Sequence, residues 1–158
     1  MTVEEKVVNR LIELGYHISF AESCTGGMCC STLVGIGDAS KVLDVSFTTY
    51  APQAKCKFLG VSQQTIDMFG VVSTQVAEEM CRGVAKAAGS RVGVGITGVA
   101  GPTGGTEKIP VGTVCFGFYI DGRVYSSTEH FGDLGRNNVR ARATEFVYVT
   151  LDKLLNNA

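Results

Sequence analysis

The chain has 158 residues, enough for one domain with a single buried core. Apolar residues make up 45% of it and charged residues 18%, a composition typical of a compact soluble protein. The net charge of −1 predicts no attraction to nucleic acid or to anionic membranes, and no apolar run is long enough to cross a bilayer. The charged N-terminus differs from a signal peptide, so we expect a cytoplasmic protein.

The first half of the chain alternates between helical and extended patterns. The sequence predicts a helix over residues 2–14, where Thr2 and Glu5 have capping-box spacing. A strand over residues 18–21 follows, and then a helix over residues 28–34. Residues 45–50 have strand composition, and residues 54–59 predict a short helical turn.

The second half begins with two predicted helices, over residues 62–70 and 73–89. A strand over residues 91–97 follows, in which Gly93 and Gly95 leave one face bare, so another backbone or a ligand should lie close to it. Residues 98–111 form a long loop rich in glycine and proline, which in a compact domain is usually functional.

The chain closes with a β-hairpin and a helix. Residues 113–120 and 123–131 are the predicted strands, joined by an Asp121-Gly122 type I′ turn, and the helix starts near Arg136. The whole pattern predicts an α/β fold, here an α+β sandwich, with a single domain over residues 1–158 and a mixed sheet flanked by helices.

The chain's six cysteines favour buried free thiols over disulfides or a zinc site. No C-x-x-C occurs, and the two histidines are far apart in sequence. Cys24 is the one thiol that could be reactive, because its position at a predicted helix N-terminus should lower its pKa.

Residues 21–27, Ala-Glu-Ser-Cys-Thr-Gly-Gly, join a predicted strand directly to a helix. This geometry places a hydroxyl and free backbone N–H groups at the carboxyl end of a strand, where ligands bind in open α/β sheets. Ser23 is therefore the first candidate functional residue. The alternative is that Ser23 or Thr25 only caps the helix, and the local pattern does not separate the two interpretations.

Residues 93–98 match G-x-G-x-x-G, but they do not predict a dinucleotide site. That motif follows a strand and opens a helix, whereas here the first two glycines lie inside the predicted strand.

Lys55 is a candidate general base. Its local sequence favours an ordinary solvated surface charge. The functional interpretation requires Lys55 to lie near Ser23, where a buried amine could take the proton of a hydroxyl nucleophile. Tyr50, five residues earlier, could relay that proton or hold the nucleophile in place.

Three arginines, Arg136, Arg140 and Arg142, fall in the first turns of the last predicted helix. Cations at that end oppose the helix macrodipole, at about 0.3–1 kcal/mol each when exposed. Arg136 and Arg140 share a helix face, so they are candidates to face a bound anion. The alternative is that they reach acidic side chains or water.

Taken together, several motifs resemble the C-terminal domain of the CinA competence/damage-inducible family. They occupy residues 21–27, 54–55, 59–61, 70–73, 95–105 and 110–114, together with Tyr50. The resemblance covers nearly the whole chain and implies an α/β domain that hydrolyses nicotinamide mononucleotide to nicotinic acid mononucleotide and ammonia. It implies Ser23 as nucleophile, assisted by Tyr50 and Lys55, no metal or cofactor, and a homodimer or higher homo-oligomer.

Two segments depart from the family pattern. The family has Tyr-Ser-Asn-Glu-Ala-Lys where this chain has Tyr-Ala-Pro-Gln-Ala-Lys at residues 50–55. The family's Gly-Asp-Arg before the last helix becomes Gly-Asp-Leu-Gly-Arg at residues 132–136.

The resulting hypothesis is a serine amidohydrolase acting on a nucleotide. Backbone N–H groups of Thr25, Gly26 and Gly27 would stabilise the oxyanion or the phosphate. Thr97, Gly98 and Gly101 would contact the nucleotide, and Arg136 or Arg140 would neutralise its phosphate. Two alternatives remain open: a non-catalytic nucleotide-binding or regulatory domain, and an amidase for another small phosphorylated amide.

Overall fold

A five-stranded mixed sheet lies at the centre of the structure, a computed structural model that describes all residues from Met1 to Ala158. Six helices flank it: α1 (Val3–Leu14), α2 (Met28–Val34), α3 (Pro52–Leu59), α4 (Gln63–Phe69), α5 (Thr74–Ala88) and α6 (Arg136–Asn156). The strands are β1 (Ile18–Glu22), β2 (Phe47–Thr48), β3 (Val92–Gly98), β4 (Thr113–Ile120) and β5 (Arg123–His130). None of the helices combines the length and hydropathy needed to cross a bilayer.

The strands are arranged in the order β2-β1-β3-β4-β5. The central strand pair, β1 and β3, is parallel, and β2 is parallel to β1. β3, β4 and β5 form an antiparallel meander that contains the predicted hairpin, with positive φ at both Asp121 and Gly122. The predicted single domain with a mixed sheet is confirmed, and the carboxyl ends of β1 and β3 meet at one edge of it.

The two faces of the sheet carry separate cores. One face is covered by α1, α2 and α6 over a large cluster of buried side chains that includes Leu11, Phe20, Val94, Phe116, Val147 and Leu151. The opposite face is covered by α3, α4 and α5 over a smaller cluster: Ala21, Leu59, Val61, Val76, Met80 and Val84. A residue at the end of β1 is therefore within reach of both helix layers.

Helix α5 lies directly on the bare face of β3. A Cβ atom added to Gly95 would be 2.6 Å from the Ala77 carbonyl oxygen, and one added to Gly93 would meet the Cys81 carbonyl. The close approach predicted for these glycines is therefore that of another backbone, and no ligand is needed to explain it.

The predicted strand over residues 45–50 is wrong in its length. Only Phe47 and Thr48 pair with β1, at Ala21 and Glu22. The Ser46 hydroxyl, instead of a backbone carbonyl, accepts the Phe20 N–H, so a side chain ends the ladder on that side. Pro52 then begins α3, because proline fits the first turn of a helix.

Candidate active site

A cavity of ≈ 370 Å³ lies at the carboxyl ends of β1 and β3. Most of the residues singled out from the sequence line it: Ser23, Tyr50, Lys55, Thr97, Gly98, Gly101 and Arg136. They come from the turn after β1, the segment before α3, α3 itself, the end of β3, the loop after β3 and the start of α6. The structure therefore brings together residues that are up to 113 positions apart, from Ser23 to Arg136.

Lys55 and Ser23 form the chemical centre of the cavity. The Lys55 ammonium donates hydrogen bonds to Ser23 Oγ at 3.1 Å and to the Thr49 carbonyl at 2.6 Å. Lys55 is only 1% exposed and has no carboxylate within 4.0 Å, and its burial lowers its pKa to about 8. The expectation of a solvated surface lysine is therefore wrong, and the functional interpretation, with Lys55 beside Ser23, matches the geometry.

Helix α3 holds Lys55 in this position. Leu59, one helical turn later, packs in the smaller core. The backbone of α3 approaches α5 so closely that a Cβ atom added to Gly83 would overlap the Leu59 carbonyl. This packing fixes the helix against the sheet and directs the Lys55 side chain toward the end of β1.

Tyr50 lies at the rim of the cavity and is 61% exposed. Its phenol oxygen accepts a hydrogen bond from Arg136 Nη2 at 2.8 Å. No hydrogen bond joins the phenol to Ser23 or Lys55, and Lys55 Nζ bonds Tyr50 only at its backbone carbonyl, at 3.5 Å. Arg136 also donates to the Gly101 carbonyl at 2.8 Å. Tyr50, Arg136 and Gly101 therefore form one hydrogen-bonded group at the cavity mouth.

Thr97 lies on the β3 side of the cavity. It is buried, and its hydroxyl donates to the Val71 carbonyl at 2.9 Å. Gly98 follows as the last residue of β3 and leads into the loop that contains Gly101.

The turn after Ser23 decides against the alternative that Ser23 or Thr25 only caps the helix. Both carboxylate oxygens of buried Glu22 accept helix N–H groups, from Cys29 at 2.9 Å and Cys30 at 3.0 Å. Neither Ser23 nor Thr25 caps α2, because the carboxylate of Glu22 already satisfies these donors.

Sequence reasoning did not predict that Glu22 holds the N-terminus of α2. The feature that could have identified it is its place in β1. Ile18 and Phe20 alternate onto the face of the large core, and Glu22 is the next residue on that face, where a carboxylate needs buried donors.

Thr25, Gly26 and Gly27 do not line the cavity. Gly26 and Gly27 lie on a separate shallow depression beside α2, and the Gly26 N–H is bonded to the Ser23 carbonyl. The predicted contacts of these three residues with substrate therefore have no counterpart in the cavity.

Arg140 also lies outside the cavity lining. Its guanidinium donates to the carbonyl oxygens of Cys24 at 2.8 Å and Thr25 at 3.1 Å. Neither Arg136 nor Arg140 has a carboxylate within 4.0 Å, whereas Arg142 lies 3.9 Å from Glu145. The acidic partners considered for the first two arginines are therefore absent.

The prediction of a lowered Cys24 pKa is wrong. Burial raises the pKa of this thiol to about 11, and this effect outweighs the nearby positive charge of Arg140. All six cysteines are free thiols, as expected, and four of them are buried. No group of His, Cys, Asp and Glu side chains is placed to hold a metal ion.

Comparison with known protein families settles the wider relationship. The family model for the CinA C-terminal domain matches residues 1–155. The chain belongs to this family. A CinA-like protein from Kosmotoga olearia is 46% identical to this CinA domain over 145 residues, which are 92% of the chain and 35% of the relative.

Other CinA relatives agree with this assignment. A putative competence-damage inducible protein from Alkaliphilus oremlandii is 42% identical over 154 residues, or 98% of the chain and 36% of the relative. The chain thus spans about a third of the length of these curated relatives.

Solved structures show the same fold. A CinA superfamily protein from Klebsiella pneumoniae has a TM-score of 0.94 at 30% identity, covering 99% of this chain and 97% of that one. A competence/damage inducible protein from Agrobacterium tumefaciens has a TM-score of 0.90 at 35% identity, with the same coverage.

Proposed function

We propose that this CinA domain is an amidohydrolase that converts nicotinamide mononucleotide to nicotinic acid mononucleotide and ammonia. The observation that carries the proposal is the 3.1 Å hydrogen bond between Lys55 Nζ and Ser23 Oγ inside the cavity. A buried lysine with a pKa of about 8 is neutral in part near neutral pH, and it can then accept the serine proton.

The reaction proceeds through an acyl-enzyme. Neutral Lys55 takes the proton of Ser23, and the serine oxygen attacks the carboxamide carbon of the substrate. The protonated lysine then gives this proton to the departing nitrogen, which leaves as ammonia. Water, deprotonated by the same lysine, attacks the ester and releases the carboxylic acid and the free Ser23 hydroxyl.

The backbone N–H of Cys24 is the available donor for the negative oxygen that forms during attack. It directly follows the nucleophile, it belongs to a residue that lines the cavity, and it donates to no acceptor in the protein. An N–H fixed at this position stabilises the developing charge without having to reorganise during the reaction.

Arg136 is the candidate ligand for the substrate phosphate. It is exposed at the cavity mouth, and its hydrogen bonds go to two neutral groups, Tyr50 and the Gly101 carbonyl. A doubly ionised phosphate is a stronger acceptor than either of them. Exchange of Tyr50 for phosphate would free the phenol to contact the substrate.

The test is ammonia release from nicotinamide mononucleotide by the wild-type protein and by Ser23→Ala. Ser40→Ala is a matched control, because Ser40 is exposed and does not line the cavity. We expect release by the wild type and the control and none by Ser23→Ala. Full activity of Ser23→Ala would exclude Ser23 as the nucleophile.

A nucleotide-binding domain without catalysis is the second candidate. Pro52 lines the cavity within the segment that departs from the family pattern. Tight binding of nicotinamide mononucleotide by calorimetry without ammonia release would favour this alternative. Release of ammonia from other phosphorylated amides only would instead indicate a different substrate.

A further inference from the structure

The carbonyl groups that follow Ser23 are fixed from one side by Arg140. Its Nε donates to the Cys24 carbonyl and its Nη2 to the Thr25 carbonyl. The Ser23 carbonyl accepts the Gly26 N–H at 3.0 Å. The carbonyls of Ser23, Cys24 and Thr25 therefore all have defined partners. Arg140 donates to the last two, and the Thr25 carbonyl also accepts the Met28 N–H at 3.0 Å.

The fold makes room for this contact. Gly26 has a φ of +56°, and a Cβ atom added to it would lie 3.3 Å from Arg140 Nη2, which is tighter than ordinary packing. Asn137 accepts a third guanidinium hydrogen bond at 3.0 Å through its side-chain oxygen. A side chain at residue 26 would therefore push against the guanidinium, so the glycine serves the arginine as well as the turn.

We propose that Arg140 is a positioning residue that holds the nucleophile turn in its reactive geometry. The peptide unit is planar, so fixing the Cys24 and Thr25 carbonyls fixes the orientation of the two peptide units that directly follow the Cys24 N–H. The Ser23 side chain, attached to the same turn, is then kept in line with Lys55. This role rests on the proposed function. In it, Arg140 holds the turn after Ser23 and does not bind the substrate phosphate.

The two arginines on this face of α6 differ in ways that match separate roles. Arg136 lines the cavity, whereas Arg140 does not. Arg136 bonds one backbone carbonyl, that of Gly101, and the phenol of the exposed Tyr50 side chain, whereas Arg140 bonds two backbone carbonyls of the turn. A substrate phosphate would have to replace those carbonyls to reach Arg140, and this would release the turn.

The experiment compares Arg140→Gln, Arg136→Gln and Arg142→Gln, three variants with the same loss of charge on one helix. Substrates are nicotinamide mononucleotide and nicotinamide riboside, which is the same molecule without the phosphate. We expect Arg140→Gln to lower kcat on the order of 100-fold, equally for both substrates and with KM for the nucleotide unchanged. Arg136→Gln should raise KM for the nucleotide only, and Arg142→Gln should change neither.

A rise in KM for the nucleotide that spares the riboside would overturn the inference, because Arg140 would then be a phosphate ligand. Partial recovery of kcat in Arg140→Ala on addition of guanidinium is expected if the variant is folded and lacks only the side chain. Circular dichroism at the assay temperature identifies a variant that has unfolded. Arg140→Lys keeps the charge but loses the forked geometry, so its kcat should stay close to that of Arg140→Gln.

A separate readout applies even if the wild-type protein releases no ammonia and the proposed function fails. Labelling of Ser23 by a fluorophosphonate reports on the nucleophile alone. We expect Arg140→Gln to slow labelling on the order of 100-fold relative to Arg142→Gln. Equal rates in the two variants, or a wild-type Ser23 that takes no label, would contradict the positioning role.

Discussion

The ammonium group of Lys55 is buried beside Ser23 without a carboxylate to balance its charge. Removal from water disfavours the charged form, and the opposing influence of the nearby Cys24 and Cys56 thiols is smaller than this effect. The lowered pKa leaves part of Lys55 neutral and able to accept a proton near neutral pH, whereas a lysine in water would remain protonated.

We predict that kcat/KM rises with pH with an apparent pKa near 8 and is constant above it. Below this pKa Lys55 is protonated and cannot accept the Ser23 proton. The measurement is the initial rate of ammonia release between pH 6 and 10, with a check that the protein stays folded over that range. Lys55→Arg, which stays protonated throughout, should be inactive at every pH. A flat profile for the wild type would contradict the assignment of Lys55 as base.

Helix α2 depends on contacts outside itself. With seven residues it is too short to be stable alone. Its N-terminus is held by the Glu22 carboxylate, and the Tyr148 hydroxyl of α6 donates to the Cys29 carbonyl at 2.6 Å. The strand, the turn and the first turn of the helix therefore form one unit, held by contacts to Glu22 and Tyr148.

We predict that Glu22→Gln lowers the free energy of unfolding by about 1–3 kcal/mol. The amide keeps one acceptor oxygen but turns an NH₂ group toward helix N–H donors, which leaves a buried donor unpaired. Urea unfolding measures the effect, with Glu145→Gln on the surface of α6 as control, since Glu145 is 67% exposed. A change as small for Glu22→Gln as for the control would show that the carboxylate does not hold the helix.

The two cores of the molecule meet at the candidate active site. Ser23 and Glu22 belong to the strand and turn fastened to α2 and α6, while Lys55 belongs to α3 in the opposite layer. The hydrogen bond between Lys55 and Ser23 therefore depends on how both helix layers pack against the sheet.

We predict different effects for two leucine truncations. Leu59→Ala in the smaller core and Leu151→Ala in the larger core should each cost about 2–5 kcal/mol of stability. Leu59→Ala should also lower kcat, because Leu59 lies one turn from Lys55 and holds α3 in place. Leu151→Ala should keep the wild-type kcat at a temperature where it remains folded. Equal losses of kcat would contradict separate roles for the cores.

Local sequence predicted the elements whose patterns are set by neighbours along the chain. The capping box at Thr2, the hairpin turn at Asp121 and the strand that leads to Ser23 depend on residues only a few positions apart, and all three are confirmed.

The sequence did not reveal contacts that depend on the tertiary fold. The burial of Lys55 depends on packing against α5, and the carbonyl partners of Arg140 are more than 100 positions away. The start of β2 coincides with a side-chain contact, that of the Ser46 hydroxyl with the Phe20 N–H, at a place where strand composition continues. For the cavity, resemblance to the CinA family supplied the grouping of Ser23, Tyr50 and Lys55, and local pattern did not.

The uncompensated charge of Lys55 has a consequence for product release. The proposed reaction turns a neutral carboxamide into a carboxylate within reach of this side chain. The product therefore carries one more negative charge than the substrate, beside a Lys55 side chain that is mostly protonated below about pH 8. Nicotinic acid mononucleotide should accordingly inhibit more strongly as the pH falls, because its carboxylate binds more tightly to a protonated Lys55 than to a neutral one.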